Sequence, residues 1–466
     1  MILINRILIA AFACSVFIAS CSSSQSDHIN ALLCNMRVDT ITPSEPVYLA
    51  GFANRNGMSD TVHRPLRTKC IVIKNDSTTV CLVFNDFMEV AKIYDDSIRS
   101  AISDSTNIPV NNIFIMASHS HSTPIIDEMH LNKSDANERY REQAMRIIAH
   151  NAIITAKEKE KFVPFTTEIA SENCIINTNR RAVDAKTGEA VIGKNDEGGC
   201  DHQVQLIRFI NAKDEMLTTI FNYACHPVTL GAKSKAVSPD YVGMAEKTIS
   251  EKTGGTAFFM QGSSGDVNPI NALGTSLTAT DSEGKKLADT VLMASFTKDS
   301  QSASLKSISS SYMIPYRDQE VTPAFIDEQM KIKSEEKTDF ADWKKNVGIW
   351  GDRMKTKLAT EKMLPKGRMV HIGAVKINNT VIFFTQGELF NSYQLELKRK
   401  FPNLHIMFAG YTNGESGYVP DAAAFKIKGY EVDQAYIFIG EPSPLSNETQ
   451  TFVVKNMEDI VQKVSE

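Results

Sequence analysis

The chain has 466 residues, 42% of them hydrophobic and 23% charged, with a formal net charge of −5. That balance describes an ordinary globular protein and gives none of the basic excess of a nucleic-acid binder, so no nucleic-acid partner is expected. No apolar run beyond the N-terminus is long enough to span a bilayer, and no low-complexity linker divides the remainder, so one domain is the simplest organisation.

In chain order, the first element is a targeting segment. MILINR carries one positive charge and is followed by the short apolar run ILIAAFACSVFIAS, the shape of a signal-peptide core. The run ends in Ile18-Ala19-Ser20-Cys21, which resembles a bacterial lipobox, with the polar tether Ser22–Asp27 after it. The expectation is a signal peptide over 1–20, an acylated Cys21 opening a tether over 21–30, and a single body over 31–466. Such a protein would reside in the bacterial cell envelope, on the outer membrane or facing the periplasm, held to the membrane by its N-terminal lipid. An ordinary cleaved signal with an incidental cysteine is the plainer alternative. Cys14 and Cys21 belong to this segment; the remaining six cysteines show no CxxC spacing, so they read as disulfide partners or buried thiols.

The body repeats one pattern: a short apolar run that stops abruptly in polar residues. NIFIMASHSHSTP (112–124), LTTIFNYACHPVTLG (217–231), TAFFMQGSSGDVNP (256–269), TVIFFTQGELF (380–390) and LHIMFAGYTNGESGYVP (404–420) all follow it. Runs of this length and composition read as buried strands. Between them lie helical patterns. Ser134 can cap a helix over about 135–159, and further helices are expected near 241–253 and 283–298. A Lys- and Glu-rich stretch from 323 to 363 reads as exposed helices laid over the body. A final amphipathic helix near 449–463 would bury Val453, Val454, Met457, Ile460 and Val461. Strands alternating with helices imply an α/β fold, with β-sheets covered by helices and a site beyond the carboxyl ends of several strands.

The polar ends carry the chemistry. In Ser118-His119-Ser120-His121-Ser122 the HxH spacing puts both imidazoles on one face of an extended segment. Both could reach one metal, or one could bind metal while the other meets substrate. His226 follows a second strand and is stiffened by Pro227; Cys225 should point into the core. Glu388 ends a strongly apolar strand, where a carboxylate needs a cation or an ion pair. Two histidines and one carboxylate leave zinc an open position for activating water. HExxH is absent. Gly262-Ser263-Ser264-Gly265-Asp266 is a turn whose amides could serve an oxyanion, and Asp266 could orient a ligating histidine or act as a base. The turn is neither a P-loop nor a nucleophile elbow.

Taken in order, these motifs resemble the neutral ceramidase family: DTITPSEPVYLAGFANRN (39–56), HRPLRTKCIVI (63–73), NDF (85–87), SHSHSTP (118–124), NTNRRA (177–182), NYACHPVTLG (222–231), QGSSGDVNP (261–269), GEL (387–389) and TNGESGYV (412–419). The resemblance implies an α/β catalytic domain with a buried zinc held by His119, His226, Glu388 and Tyr418. It places His121 toward substrate and Arg180 at the pocket, stabilising developing negative charge. The family's serine in GDVSP is replaced here by Asn268, which cannot be activated as a nucleophile but can hydrogen-bond a carbonyl. Attack by metal-activated water is therefore expected, with Ser263 or Ser264 as the alternative nucleophiles. Arg180 and Asn268 would hold the oxyanion, and His121 or Asp266 would carry the proton to the leaving amine. The family's C-terminal immunoglobulin-like domain is not expected. The substrate implied is an N-acyl lipid or an N-acylated sugar. A metal-dependent enzyme cutting a glycan ester or glycosidic bond, and a non-catalytic binding lipoprotein, are the competing readings.

Overall fold

The structure, a computed structural model, describes residues 31–466 apart from 127–133, 300–302 and the single positions 319, 337, 339, 341 and 415. The expected signal peptide, Cys21 and the expected tether lie outside the described residues. No described helix is long and apolar enough to cross a membrane.

Three large sheets carry most of the body, beside three small ones of two or three strands, one of which pairs Asn177–Val183 with Val267–Pro269. The first contains β1 (Leu33–Thr40), β2 (Arg67–Lys74), β3 (Thr79–Asn85) and β4 (Ile113–Ala117), in the order β4-β3-β2-β1. The second contains β5 (Thr166–Asn173), β6 (Gln203–Ile210), β7 (Met216–Tyr223) and β8 (Thr256–Gln261), in the order β8-β7-β6-β5. The third is β9 (Leu305–Pro315), β10 (Gly367–Ile377), β11 (Thr380–Thr385) and β12 (His405–Ala409), in sequence order.

All three large sheets share one device. Each is antiparallel except for one parallel pair at an edge: β3 with β4, β7 with β8, and β11 with β12. Parallel neighbours need a crossover rather than a hairpin. The crossovers here run through α1 (Lys92–Thr106), α3 (Asp240–Thr253) and α5 (Asn391–Lys400), with α2 (Asp135–Lys157) and α4 (Leu277–Met293) elsewhere on the body. The five apolar runs singled out in the sequence are β4, β7, β8, β11 and β12, the strands of these parallel pairs together with β3.

Their edges are joined to one another. Ala117 N donates to Tyr411 O at 3.1 Å, Gly410 N to Gln261 O at 3.0 Å, and Asn222 Nδ2 to Phe408 O at 2.8 Å. A single core gathers Ile71, Phe84 and Phe114 from the first sheet, Ile220, Phe258 and Met260 from the second, and Ile382, Phe384 and Met407 from the third. Phe114 stacks on Phe384 with centroids 4.1 Å apart. That stacking needs glycine at 373, where a Cβ would come within 2.4 Å of the Phe114 ring.

The helices follow the expected logic with two differences. Ser134 caps α2, accepting from Asn137 N at 3.3 Å. The last helix, Thr449–Ser465, buries Val453, Met457, Ile460 and Val461 against the third sheet, with Val454 partly covered. Helix α4 starts earlier than expected because Ser276 accepts from Ala279 N and begins it at Leu277. The charged stretch forms two helices, Pro323–Glu335 and Trp343–Glu361, but they are more than an exposed cover. Trp343, Val347, Trp350 and Met354 recur at helical spacing on one face and are buried with Ile326, Tyr436 and Ile437. The lysines and glutamates on the other face obscured this stripe in the sequence. The described cysteines are all free thiols, Cys70 and Cys81 lying 3.6 Å apart on β2 and β3, and Cys225 is buried in the core as expected.

Candidate metal centre

Each parallel pair delivers its groups from strand ends. His119 stands two residues beyond β4, with φ 65° in the left-handed region that β-carbon sterics disfavour. Its Nδ1 pairs with the Met88 carbonyl at 2.8 Å. His226, three residues beyond β7, pairs Nδ1 with the Ser264 carbonyl at 2.7 Å. A carbonyl can only accept, so both Nδ1 atoms carry the proton and both Nε2 atoms present lone pairs.

Those lone pairs converge. His119 Nε2 lies 3.1 Å from His226 Nε2 and 3.3 Å from His121 Nε2. Glu388 Oε2 lies 3.3 Å from His119 Nε2 and 3.2 Å from His226 Nε2. His119, His121 and His226 form the metal-capable group found among the described residues. Acceptors packed this closely repel one another unless a cation or a proton lies between them, so the donor set fits a divalent metal. Burial alone would raise the Glu388 carboxyl, yet the two histidines hold it well below its ordinary range. Burial, helped by Arg180, lowers His226 to about 4. Burial also holds His121 well below its usual value.

The strand ends also place the surrounding groups. Glu388 and Tyr418 are Cα partners in a short parallel bridge, which puts the phenol beside the carboxylate. Arg180 lies over the Tyr418 ring at 5.3 Å. Its Nε donates to Glu431 at 3.1 Å, and its Nη1 lies 3.3 Å from His226 Nε2 and 3.4 Å from Asn268 Oδ1. Its Nη2 is buried and makes no hydrogen bond. Arg181 also pairs with Glu431. His119, His121, Arg180, Asn268, Glu388 and Tyr418 all line one cavity of about 1470 Å3.

Asp266 is placed differently from expectation. Its two oxygens are taken by Asn179 Nδ2 at 2.9 Å and Asn391 N at 2.7 Å, and it does not line the cavity. Burial raises it to about 7. Its backbone carbonyl accepts from Arg180 N at 2.8 Å, so the residue positions Asn177–Val183, the strand that carries Arg180. Ser264 is equally occupied. Its hydroxyl accepts from Gln261 Nε2 at 2.6 Å and pairs with Tyr411 at 3.0 Å. Ser263 Oγ donates to the Phe390 carbonyl at 2.6 Å.

Three contributors were not foreseen from sequence. Tyr411 sets its ring 4.1 Å from that of His119 and its hydroxyl 3.5 Å from Glu388. Arg55 donates to the carbonyls of Ala50 and His121, both at 2.7 Å, tying two loops at the site. Glu431 holds Arg180 and Arg181. Tyr411 and Arg55 lay within quoted motifs, AGYTNG and NRN, but nothing in those motifs marked the side chain. Glu431 belonged to none.

A family model described as the N-terminal part of neutral/alkaline non-lysosomal ceramidase matches residues 35–334. Among solved structures, the fold is similar to that of neutral ceramidase from Pseudomonas aeruginosa. The TM-score is 0.65 at 14% identity, covering 92% of this chain and 74% of that one. A ceramidase complexed with C2 matches with TM-score 0.67 at 13% identity and the same coverage. No curated protein matches by sequence.

Proposed function

Because the chain belongs to the neutral/alkaline non-lysosomal ceramidase family, we propose that it is a zinc-dependent amidohydrolase that cleaves the amide of an N-acyl lipid. The chain is a hydrolase of that family, and the observation that carries the finer reading is the meeting of three imidazole Nε2 atoms with Glu388. His119, His226 and Glu388 are the protein ligands we assign, with Tyr418 as the fourth, a nitrogen and oxygen set suited to zinc. Bound zinc would polarise the scissile carbonyl and acidify a water molecule.

The chain's own residues supply the rest. Arg180 offers its unbonded Nη2 to the carbonyl oxygen as negative charge develops there. Asn268 steadies that guanidinium and can donate its amide N–H to the same oxygen. His121 takes a proton from the attacking water and delivers it to the amide nitrogen as the C–N bond breaks. The products are a carboxylic acid and an amine. The apolar part of the cavity, including Phe340, Trp350 and Phe438, suits acyl and sphingoid chains. At the other end of the chain, acylation of Cys21 would hold the enzyme at the bacterial envelope; loss of lipid labelling in Cys21→Ala checks that assignment.

A turnover screen tests the reading, using N-acyl lipids, N-acyl amino sugars and oligosaccharides, each with and without chelator. Chelator-sensitive release of fatty acid from an N-acyl lipid is expected. Cleavage of a sugar linkage alone, or amide turnover indifferent to chelator, would reject it.

A further inference from the structure

Exposed apolar side chains stand among the residues that line the cavity, and they make up its rim. Isolated exposed hydrophobic residues are normal on any protein surface, but several around one opening are not. Ile93 is 64% exposed, Leu273 50%, Met369 53%, Val191 48%, Ile192 47% and Ile349 37%, and all six line the same cavity as His119 and Glu388. They come from five separate places: the first turn of α1, the hairpin strand Ala190–Asn195, the loop before α4, strand β10 and the helix Trp343–Glu361. Chain neighbourhood does not explain their meeting.

We propose that this rim is a docking surface for lipid, seating the cavity mouth on the apolar–headgroup boundary of a bilayer or micelle. The proposal rests on the reading that the substrate is an N-acyl lipid. Such a molecule resides in an aggregate, and its chains enter the cavity without crossing water only if the mouth meets the aggregate directly. The apolar rim continues into the apolar cavity wall, which commits the occupant to lipid. A second copy of the chain or a protein partner seated on these side chains would obstruct entry to the cavity that Arg180 and Glu388 line.

Charge around the opening sets the mode of attachment. Lys186, Arg353 and Lys357 are offset by Asp184, Glu189 and Asp342 on the same cavity. With no strong excess of one sign, binding is by insertion of the apolar side chains, and it withstands salt that would screen an electrostatic contact.

The test uses the full chain and sedimentable vesicles of phosphatidylcholine, with no N-acyl lipid present, so docking is read apart from turnover. Ile93→Ser, Ile349→Ser and Met369→Ser are made singly and together; Ile175→Ser with Met293→Ser, exposed but outside the cavity lining, is the control. Each comparison is with the parent chain, so any contribution of the N-terminus is common to both. The triple variant is expected to bind at least about tenfold more weakly, through the lost burial of apolar area. The control should bind like the parent, and 0.5 M salt (a concentration of about three times physiological strength) should change the parent little.

Hydrogen exchange on the parent gives a second measure that needs no variant: segments 92–95 and 190–195 should become protected when vesicles are added. Equal binding by parent and triple variant, binding abolished by salt, or no protection of those segments would each overturn the proposal. Because none of these readouts involves catalysis, a chain that docks but cleaves no N-acyl lipid would refute the substrate reading and leave the docking surface standing.

Discussion

Arg180→Gln probes the charge-stabilising half of the site while leaving every proposed metal ligand in place, although the guanidinium itself lies 3.3 Å from His226 Nε2. The guanidinium is buried, its Nε is committed to Glu431, and Nη1 lies beside Asn268. Nη2 makes no hydrogen bond, and a buried donor left without a partner costs about 1–3 kcal/mol. That cost is recovered when a substrate oxygen accepts from it. The loss of one such preorganised donor is worth roughly 2.7–4 kcal/mol in the transition state, or about 100- to 1,000-fold in kcat. Glutamine keeps a side-chain amide to face Glu431, and Arg181 continues to neutralise that carboxylate, so the fold should survive. Steady-state kinetics on an N-acyl lipid, with metal content by mass spectrometry and a thermal melt, form the assay. The expected result is kcat lowered by about two to three orders of magnitude, with KM moved by less than about threefold and metal retained. Loss of metal together with activity, or a kcat within tenfold of the parent, would refute the assignment of Arg180 to the developing charge.

Other changes separate the roles of neighbouring residues. Asn268→Ala should lower kcat about tenfold while metal stays bound, whereas His226→Ala should lose both; metal analysis beside kinetics distinguishes them. Ser264→Ala should cost less than about tenfold and no acyl-enzyme should accumulate, because its hydroxyl is already held by Gln261 and Tyr411; trapping of an acyl group on Ser264 would contradict the water mechanism. Away from the site, Asp95 is buried without a hydrogen-bond partner, 3.6 Å from Arg99, and burial raises it from 3.8 to about 7. The folded state therefore binds more protons than the unfolded state between these values, and stability falls as pH rises from about 4 to 7. Asp95→Asn should remove that penalty, raising stability at pH 8 by on the order of 1–3 kcal/mol and changing it little at pH 4, as read by urea melts at the two values. An equal effect at both pH values would show that charge burial is not the cause.

Local chemistry made much of this architecture legible in the sequence. Five of the six strands in the parallel pairs announced themselves by runs of β-branched and aromatic residues, and each of the five ended where polar residues could no longer be buried. His119, His226 and Glu388 were visible because an imidazole or carboxylate directly after such a run is costly to desolvate unless something there binds it. Ser134 showed the start of α2 for an equally local reason, since its oxygen caps an amide three residues on. The buried stripe Trp343, Val347, Trp350 and Met354 was present in the spacing too, but the charged residues between these positions masked it. Tyr418 and Arg180 were reached only by resemblance to a family.

Tertiary structure decided which of these groups share a volume and which way they face. Side chains separated by hundreds of residues meet because three βαβ crossovers aim their carboxyl ends at one point, and no local pattern encodes that convergence. It set His121 Nε2 at 3.3 Å from His119 Nε2, and it turned Asp266 away onto Asn179 and Asn391. It also recruited Glu431 to hold Arg180 from 251 residues away. The apolar rim is the clearest case: Ile93, Ile192, Leu273, Ile349 and Met369 are ordinary one by one, and only the folded chain gathers them around the opening. The sequence by itself determined five buried strands, their reactive ends and the kinds of donor atoms available, because these depend on neighbours along the chain. The lone-pair cluster, the proton positions on His119 and His226, and the shape of the cavity depend on neighbours in space.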